Sequence, residues 1–364
     1  MPLITTARTG RRPIAWAALF LLLTATAFAG LQRTSPLTDS GFEAADAAAS
    51  ALPRLHSMLI SHRGELVFER YYNGTGPNHQ ANIKSASKSV ISALVGIAIA
   101  QGLIESVDQP IGEFFPELLA GPENAEKRAI TIEDLLTMRS GLETTSNRNY
   151  GPWVVSSNWV RHALAKPMVA TSGGPMIYST GSTHLLSAIL TQITGSSTWA
   201  FADQNLAQPM GFSLPRWLTD PQGIYFGGND MTMTPRNLLA FGEMYLNRGR
   251  SGDVEVLPRS WVEQTFVART ISPRERDRFY GYGWWIRPMA DRAVYYPWGY
   301  GGQFVFVVPS EELVVVTTSD SNPGDGRQQH LRRIYDLVED HIVDPVARGL
   351  LPVREGPEPG ASVD

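Results

Sequence analysis

The chain has 364 residues, of which 43% are hydrophobic and 18% charged, enough to bury a large core in one domain or two modest ones. A net charge of -4 gives no polycationic surface, and so no case for nucleic acid as a partner. The absence of cysteine excludes disulfides, thiolate metal sites and a cysteine nucleophile.

Arg8, Arg11 and Arg12 precede an uncharged run from Pro13 to Leu31 that contains Ala27-Phe28-Ala29. A basic start, an apolar middle and a small-x-small exit predict a secretory leader over residues 1–29. The run is also close to the minimum for a membrane span, so an uncleaved anchor is the alternative. Either way the body of the protein is expected to be exported, periplasmic or anchored to the outer face of the inner membrane. Residues 30–45 read as a tether, 46–345 as the folded domain, and 346–364, with VREGPEPGASVD, as a disordered tail.

Within the domain, RLHSMLISHRGELVFERYY predicts two strands around a His62-Arg63-Gly64 turn. A helix follows from about 83 to 101, stopped by Gly102. The middle of the chain is mostly helical. One helix starts at a Thr131 cap and ends on Gly141, a second ends on Gly195, and a third has Thr234 as cap and Pro235 in its first turn. From about 279 the pattern returns to strands: FYGYGWWIRP, then GQFVFVVP and LVVVTTSD joined through Ser310-Glu311-Glu312, before a last helix at about 326–343. Strands at both ends with helices between predict an α+β fold. A central antiparallel sheet is built from both chain ends and flanked by helices, with a mostly helical subdomain inserted at about 120–255. The groove between sheet and insert is the natural place for a site.

Metals and nucleotides find little support. Seven scattered histidines include no pair at i, i+4 flanking a glutamate, so no metal site is expected. There is no G-x-S-x-G, no P-loop and no G-x-G-x-x-G. What remains is Ser85-Ala86-Ser87-Lys88. At i, i+3 on a helix the two side chains share a face and can touch. The run behind them (Val90, Ile91, Leu94, Val95, Ile97, Ile99) is apolar almost all round, which predicts burial. A lysine desolvated there loses basicity and can serve as a base near neutral pH. The helix N-terminus works in the same direction and leaves backbone N–H groups free to face an oxyanion. The competing reading is a first-turn lysine reaching back to solvent among capping serines, which fits Lys84, one of only four lysines in the chain.

Two further segments add to this picture. Tyr178 stands in a short Gly-Pro-bounded stretch just before a helix, where its phenol can shuttle a proton or simply fill the core. Tyr300-Gly301-Gly302 opens a strand, and missing side chains there allow close approach of a substrate backbone, or a bulge into the hairpin. Tyr280, Tyr282 and Trp284 alternate with glycines and predict an aromatic face on one strand. Tyr300 is the aromatic placed in the cleft. Tyr150 in NRNYGPW and Asn229 in FGGNDM are candidates for lining it, with loop packing and a turn as the competing readings.

Ser85-x-x-Lys88, then Tyr178-Ser179-Thr180, then Tyr300-Gly301-Gly302 resemble the three ordered motifs of the serine β-lactamase and penicillin-binding-protein superfamily. Supporting phrases such as TIEDLLTMRSGL and MTMTPRNLLAFGEMYLNRGR are similar to the class C β-lactamase-like esterases and, within them, the 6-aminohexanoate-dimer hydrolases. The resemblance runs from about 42 to 345 and implies a two-lobed fold with a covalent acyl-enzyme mechanism. It makes Ser85 the nucleophile, Lys88 its base and Tyr178 the proton relay, with the backbone N–H groups of Ser85 and Gln303 as the oxyanion hole. Thr180, Tyr300, Gly301 and Gly302 would contact substrate. The second motif commonly ends in asparagine and the third commonly begins with lysine or histidine; here they carry Thr180 and Tyr300, which argues against β-lactam recognition. The expected function is an exported serine hydrolase of small esters or linear amides, working without cofactor. A D,D-peptidase or weak β-lactamase, and a non-catalytic module that binds cell-wall peptides, are the alternatives.

Overall fold

The computed structural model describes residues 41–351, all within one unit that spans Leu37–Asp364. The expected leader, most of the expected tether and the end of the tail lie outside these residues.

The first described element is a helix, α1 (Glu43–Ser50), and not a continuation of the tether. Phe42, Ala45 and Ala49 are buried, and the Phe42 ring lies 5.8 Å from that of Phe68, so the alanine spacing reflects a packed face. Strands β1 (Leu55–His62) and β2 (Glu65–Tyr71) follow as the predicted hairpin. Both turn residues, Arg63 and Gly64, have positive φ, the backbone that matches the twist of a two-residue hairpin. The remaining sheet strands come from the other end of the chain. They are β3 (Thr270–Ile271), β4 (Phe279–Tyr280), β5 (Trp285–Met289), β6 (Arg292–Tyr296), β7 (Trp298–Gly299), β8 (Gln303–Val308) and β9 (Leu313–Ser319). Their order is β2-β1-β9-β8-β6-β5-β4-β3, with β7 paired to β8, and every pairing is antiparallel. The two chain ends thus meet where β1 pairs with β9.

The central strands read FVFVV and LVVV because both sheet faces are covered. Phe304, Phe306, Leu313 and Val315 pack with α1 and with the C-terminal helix, while Val305, Val307, Val314 and Val316 face the larger core shared with the helical part. That part includes α2 (Ser87–Ala100), α3 (Ile132–Leu136), α4 (Thr180–Thr194) and α5 (Pro235–Leu246), with α6 (Arg327–Val338) on the opposite face. α5, placed by sequence within the helical insert, lies directly on the sheet: a Cβ at its Gly242 would come within 2.6 Å of Val305 and Val314.

Three elements differ from expectation. α3 is capped by Thr131 in a full capping box, as its sequence predicts, but it ends at Leu136, with Met138 at φ 61°. The FYGYGWW stretch is not one strand. Gly283 has φ +75° and breaks it, so that Tyr280 packs on one side of the sheet and Tyr282 and Trp284 on the other. Finally, residues 346–351, expected in a disordered tail, continue from a short helix (Asp344–Ala347), and Val346 and Leu351 pack on the core.

Candidate active site

Residues 81–82 pair with 232–233, and the chain then tightens into a 3-10 turn, Lys84–Ala86, before α2 begins at Ser87. Ser85 therefore sits in the turn that feeds the helix and not within the helix itself. It is half-buried, at the margin between the buried α2 and solvent. Lys84 immediately before it has φ 50°, a conformation that costs a non-glycine residue about 1 kcal/mol or more unless its surroundings hold it. They do hold it. Its Nζ lies 3.0 Å from Asp230 Oδ1, its N–H donates to Asn82 Oδ1 at 3.0 Å, and Asn82 Nδ2 donates to the same Asp230 oxygen at 2.8 Å. Lys84 is thus no incidental neighbour reaching for solvent, as the sequence suggested. It fastens the serine turn to the 228–231 loop.

Lys88 is 1% exposed, among the largest fully buried side chains of the molecule. Its Nζ is 2.6 Å from the Gly228 carbonyl, 3.3 Å from Ser85 Oγ and 3.3 Å from Thr180 Oγ1. None of these partners carries charge, and no carboxylate among the described residues pairs with the amine. Burial without a counter-ion lowers its pKa from 10.5 to about 7. The i, i+3 contact expected of Ser85 and Lys88 is present, although one of the pair precedes the α-helix.

Tyr178 stands two residues before α4. Its ring is stacked on Trp285 at 5.8 Å and edge-on to Tyr280 at 6.4 Å, and Lys88 Nζ lies 5.2 Å from its centroid. Burial pushes the phenol up to about 12, with the Ser85 hydroxyl, hydrogen-bonded to it, pulling the other way. Hydroxyls on a neighbouring loop fix the segment. Thr144 Oγ1 donates to the Tyr178 carbonyl at 2.7 Å, the Thr145 N–H to Ser179 Oγ at 3.1 Å, and the Thr180 N–H to Ser146 Oγ at 2.9 Å. Ser85, Lys88, Tyr178 and Thr180 therefore converge on one point, where α2 and α4 meet.

The third motif approaches from the sheet. The turn carrying Ser85 packs on β7 and the start of β8, so closely that a side chain at Gly299 would collide with the Ile83 carbonyl. Gln303 opens β8, and its side chain is spent on Ser319, donating to its carbonyl at 2.7 Å and accepting from its N–H at 3.1 Å. Gly301 and Gly302 were expected to leave room for substrate. Instead, protein fills that room: a Cβ at Gly301 would lie 2.6 Å from the Asp320 carbonyl oxygen, and one at Gly302 2.6 Å from Ile334. Their φ values, +93° and +113°, make them turn residues packed against β9 and α6. Tyr300 is 38% exposed, with the Arg327 guanidinium 4.3 Å from its ring centroid. Tyr150 and Asn229 are paired with each other, Asn229 Nδ2 donating to the phenol at 2.7 Å, and Tyr150 stacks near Phe226.

A family model described as Beta-lactamase matches residues 51–339. The chain belongs to the beta-lactamase family. It is a serine hydrolase of that class, and its fold is the one the antiparallel sheet and flanking helices describe. A 6-aminohexanoate-dimer hydrolase from Paenarthrobacter ureafaciens is 24% identical over 321 residues, covering 78% of this chain and 80% of that protein. Among solved structures, a class C beta lactamase from Rhodobacter sphaeroides superimposes with a TM-score of 0.64 at 18% identity, covering 82% of this chain and 99% of the other. A D-stereospecific amidohydrolase from Streptomyces sp. gives 0.61 at 17% identity, covering 82% and 96%.

Sequence reasoning missed Gly228 at this beta-lactamase-family site. Its φ is +120°, a side chain there would collide with Thr183 Oγ1, and a Cβ would stand 3.1 Å from Lys88 Nζ. The Gly227-Gly228 pair beside Asn229 was the available signal, since adjacent glycines mark close backbone approach. A second missed element lies behind it. Buried His184 on α4 faces Asp220 through Nε2 at 3.1 Å and accepts the Gly227 N–H on Nδ1 at 3.3 Å, which locks the loop whose next carbonyl receives Lys88. Accepting on Nδ1 assigns the ring proton to Nε2, which then donates to Asp220.

Proposed function

We propose that the protein hydrolyses a small ester or linear amide through an acyl-enzyme on Ser85. The observation that carries this reading is Lys88: buried, without a counter-ion, poised near neutrality and 3.3 Å from Ser85 Oγ. A surface-binding module has no use for such an amine, which only destabilises the fold. As the neutral amine, Lys88 takes the Ser85 hydroxyl proton while Oγ attacks the carbonyl carbon. The resulting oxyanion is received by the N–H groups of Ser85 and Gln303, each such donor contributing about 3–4 kcal/mol to rate in comparable sites. Tyr178, held protonated by a pKa of about 12, hands its proton to the leaving alcohol or amine. Water then attacks the acyl carbon, with the same groups acting in reverse, and releases the acid.

The strain at Lys84 supports Ser85 as the nucleophile, because a turn held in the left-handed region fixes the following residue in one orientation. For substrate class, the relative named for the 6-aminohexanoate dimer supports a linear amide. The basic-apolar-small pattern of residues 1–29 supports export; among the described residues no helix is long and apolar enough to cross a membrane. The test is fluorophosphonate labelling read by mass spectrometry, beside turnover of p-nitrophenyl esters, short ω-amino amides and nitrocefin. Label is expected on Ser85, and Ser85→Ala is expected to lose label and turnover while keeping its circular dichroism. A Ser85→Ala protein retaining a tenth of wild-type activity would end the proposal, and nitrocefin as the best substrate would move the protein to the β-lactamases proper.

A further inference from the structure

A cavity of about 560 Å³ opens between the 274–278 loop, β5, β7 and α6. Its lining is dominated by five arginines, Arg274, Arg278, Arg287, Arg327 and Arg332, against the carboxylates of Glu275, Asp336 and Glu339. Two positive charges are left over. The pairing within the pocket is poorer still. Glu275 is taken by Arg278 at 2.8 Å, Glu339 accepts the Ala290 N–H, and Arg287 reaches only Asp277, at 3.7 Å. Arg274, Arg327 and Arg332 have no carboxylate within 4.0 Å among the described residues.

The walls are aromatic. Arg278 is buried, and its guanidinium lies 5.1 Å from the Trp298 ring centroid and 5.4 Å from that of Tyr335, while that of Arg287 lies 4.8 Å from Tyr335. Arg278 also donates from Nη2 to the Tyr335 hydroxyl at 3.4 Å, so the aromatic wall and Glu275 hold this guanidinium in place, while Arg274, Arg327 and Arg332 keep N–H groups available. Arg278 Nε, Arg287 Nε and Trp298 Nε1 are buried within the wall, so the groups left to face the cavity are the outer guanidinium edges. A pocket with surplus positive charge and planar guanidinium forks, three of them without a carboxylate partner, suits an anion with several acceptor oxygens.

We propose that this pocket binds a small organic polyanion, a di- or tricarboxylate or a phosphorylated metabolite, at a site separate from Ser85. The two sites adjoin at Trp285, on which Tyr178 stacks and whose ring centroid lies 5.7 Å from Arg278, and at Tyr300, over which the pocket's Arg327 lies at 4.3 Å. The test is calorimetric titration of the full chain with citrate and with inorganic phosphate at constant ionic strength, beside Arg274→Glu and Arg332→Glu, both exposed positions whose variants are checked by circular dichroism. Saturable binding of citrate, phosphate or both is expected, weakened at least about tenfold by each charge reversal, since each replaces a charge-assisted contact with a repulsive one. Citrate alone would identify the carboxylate source and phosphate alone the phosphoryl one. Binding should survive fluorophosphonate treatment of the enzyme. No saturable heat with either anion up to about 10 mM, affinity unchanged in both variants, or binding abolished by the fluorophosphonate would each overturn the proposal.

Discussion

Lys88→Met separates what the lysine does for chemistry from what it does to the fold. Methionine nearly matches the stem in volume and length, and the site is buried, so packing changes little. Two terms remain. The Gly228 carbonyl loses the donor at 2.6 Å, a cost of about 1–3 kcal/mol that does not vary with pH. The second term does vary. The amine titrates at its ordinary 10.5 in the unfolded chain and at about 7 in the folded one, so between those values the unfolded state binds more protons. Wild-type stability from this group is therefore intact above about pH 10.5, falls as pH drops towards about 7, and levels off below. Between about pH 9 and pH 7 the loss comes to about 2 kcal/mol, and methionine has no such term. The stability difference between variant and wild type should thus move by about 2 kcal/mol in favour of the variant over that interval, whatever its sign at the start. Urea unfolding of both proteins at several pH values, with matched m-values, measures it. A difference constant to within about 0.5 kcal/mol would show that Lys88 titrates alike in both states, and the general-base assignment would fall with it.

The same proton should be visible in turnover: kcat/KM for a neutral ester is expected to rise through about pH 7 and then level off, because only the free amine accepts the Ser85 proton. A profile flat across that region would contradict it. Gly228→Ala puts a methyl group against Thr183 and Lys88 on a backbone at φ +120°, so acylation should fall at least about a hundredfold, with about 2 kcal/mol or more of stability lost; burst kinetics and unfolding together read this, and near-normal acylation would sink it. Lys84→Met releases Asp230 and the strained serine turn, and should lower kcat by about tenfold with Ser85 still labelled, whereas an unchanged kcat would return Lys84 to a solvent-facing role.

What could be read from the sequence was what local spacing encodes. Ser85 and Lys88 are three residues apart beside an apolar run, and that pattern alone implies contact and burial. Tyr178 stood out by its Gly-Pro-bounded stretch ahead of a helix, Thr180 only through the motif it ends, and the FVFVV and LVVV runs by the two covered faces of a sheet. Gly228 is different. It stands 140 residues from Lys88, and nothing near either one states that the carbonyl of the first completes the environment of the second. Lys84 and Asp230 are 146 residues apart, and a lysine that looks idle beside Ser85 becomes a clamp only once residues 81–82 pair with 232–233.

The glycines teach the converse. Gly301 and Gly302 read in sequence as room for a ligand, yet at both of them, and at Gly228 and Gly283 as well, the space is taken by the protein itself. Gly283 lets its turn press on α2, where a Cβ would come within 2.9 Å of the Lys88 carbonyl oxygen, and Ser89 Oγ donates to its carbonyl at 2.6 Å. Gly228 presses on Lys88 from the other side. The lysine is therefore packed by backbone as well as by side chains: apolar residues surround α2, Gly228 presses on the Lys88 side chain, and Gly283 presses on its backbone. Desolvation is what lowers its basicity, so the two glycine turns belong to the chemistry of the base as much as to the packing of the fold. On this argument, enlarging either glycine by one methyl group should disturb the titration of Lys88 before it disturbs the position of Ser85.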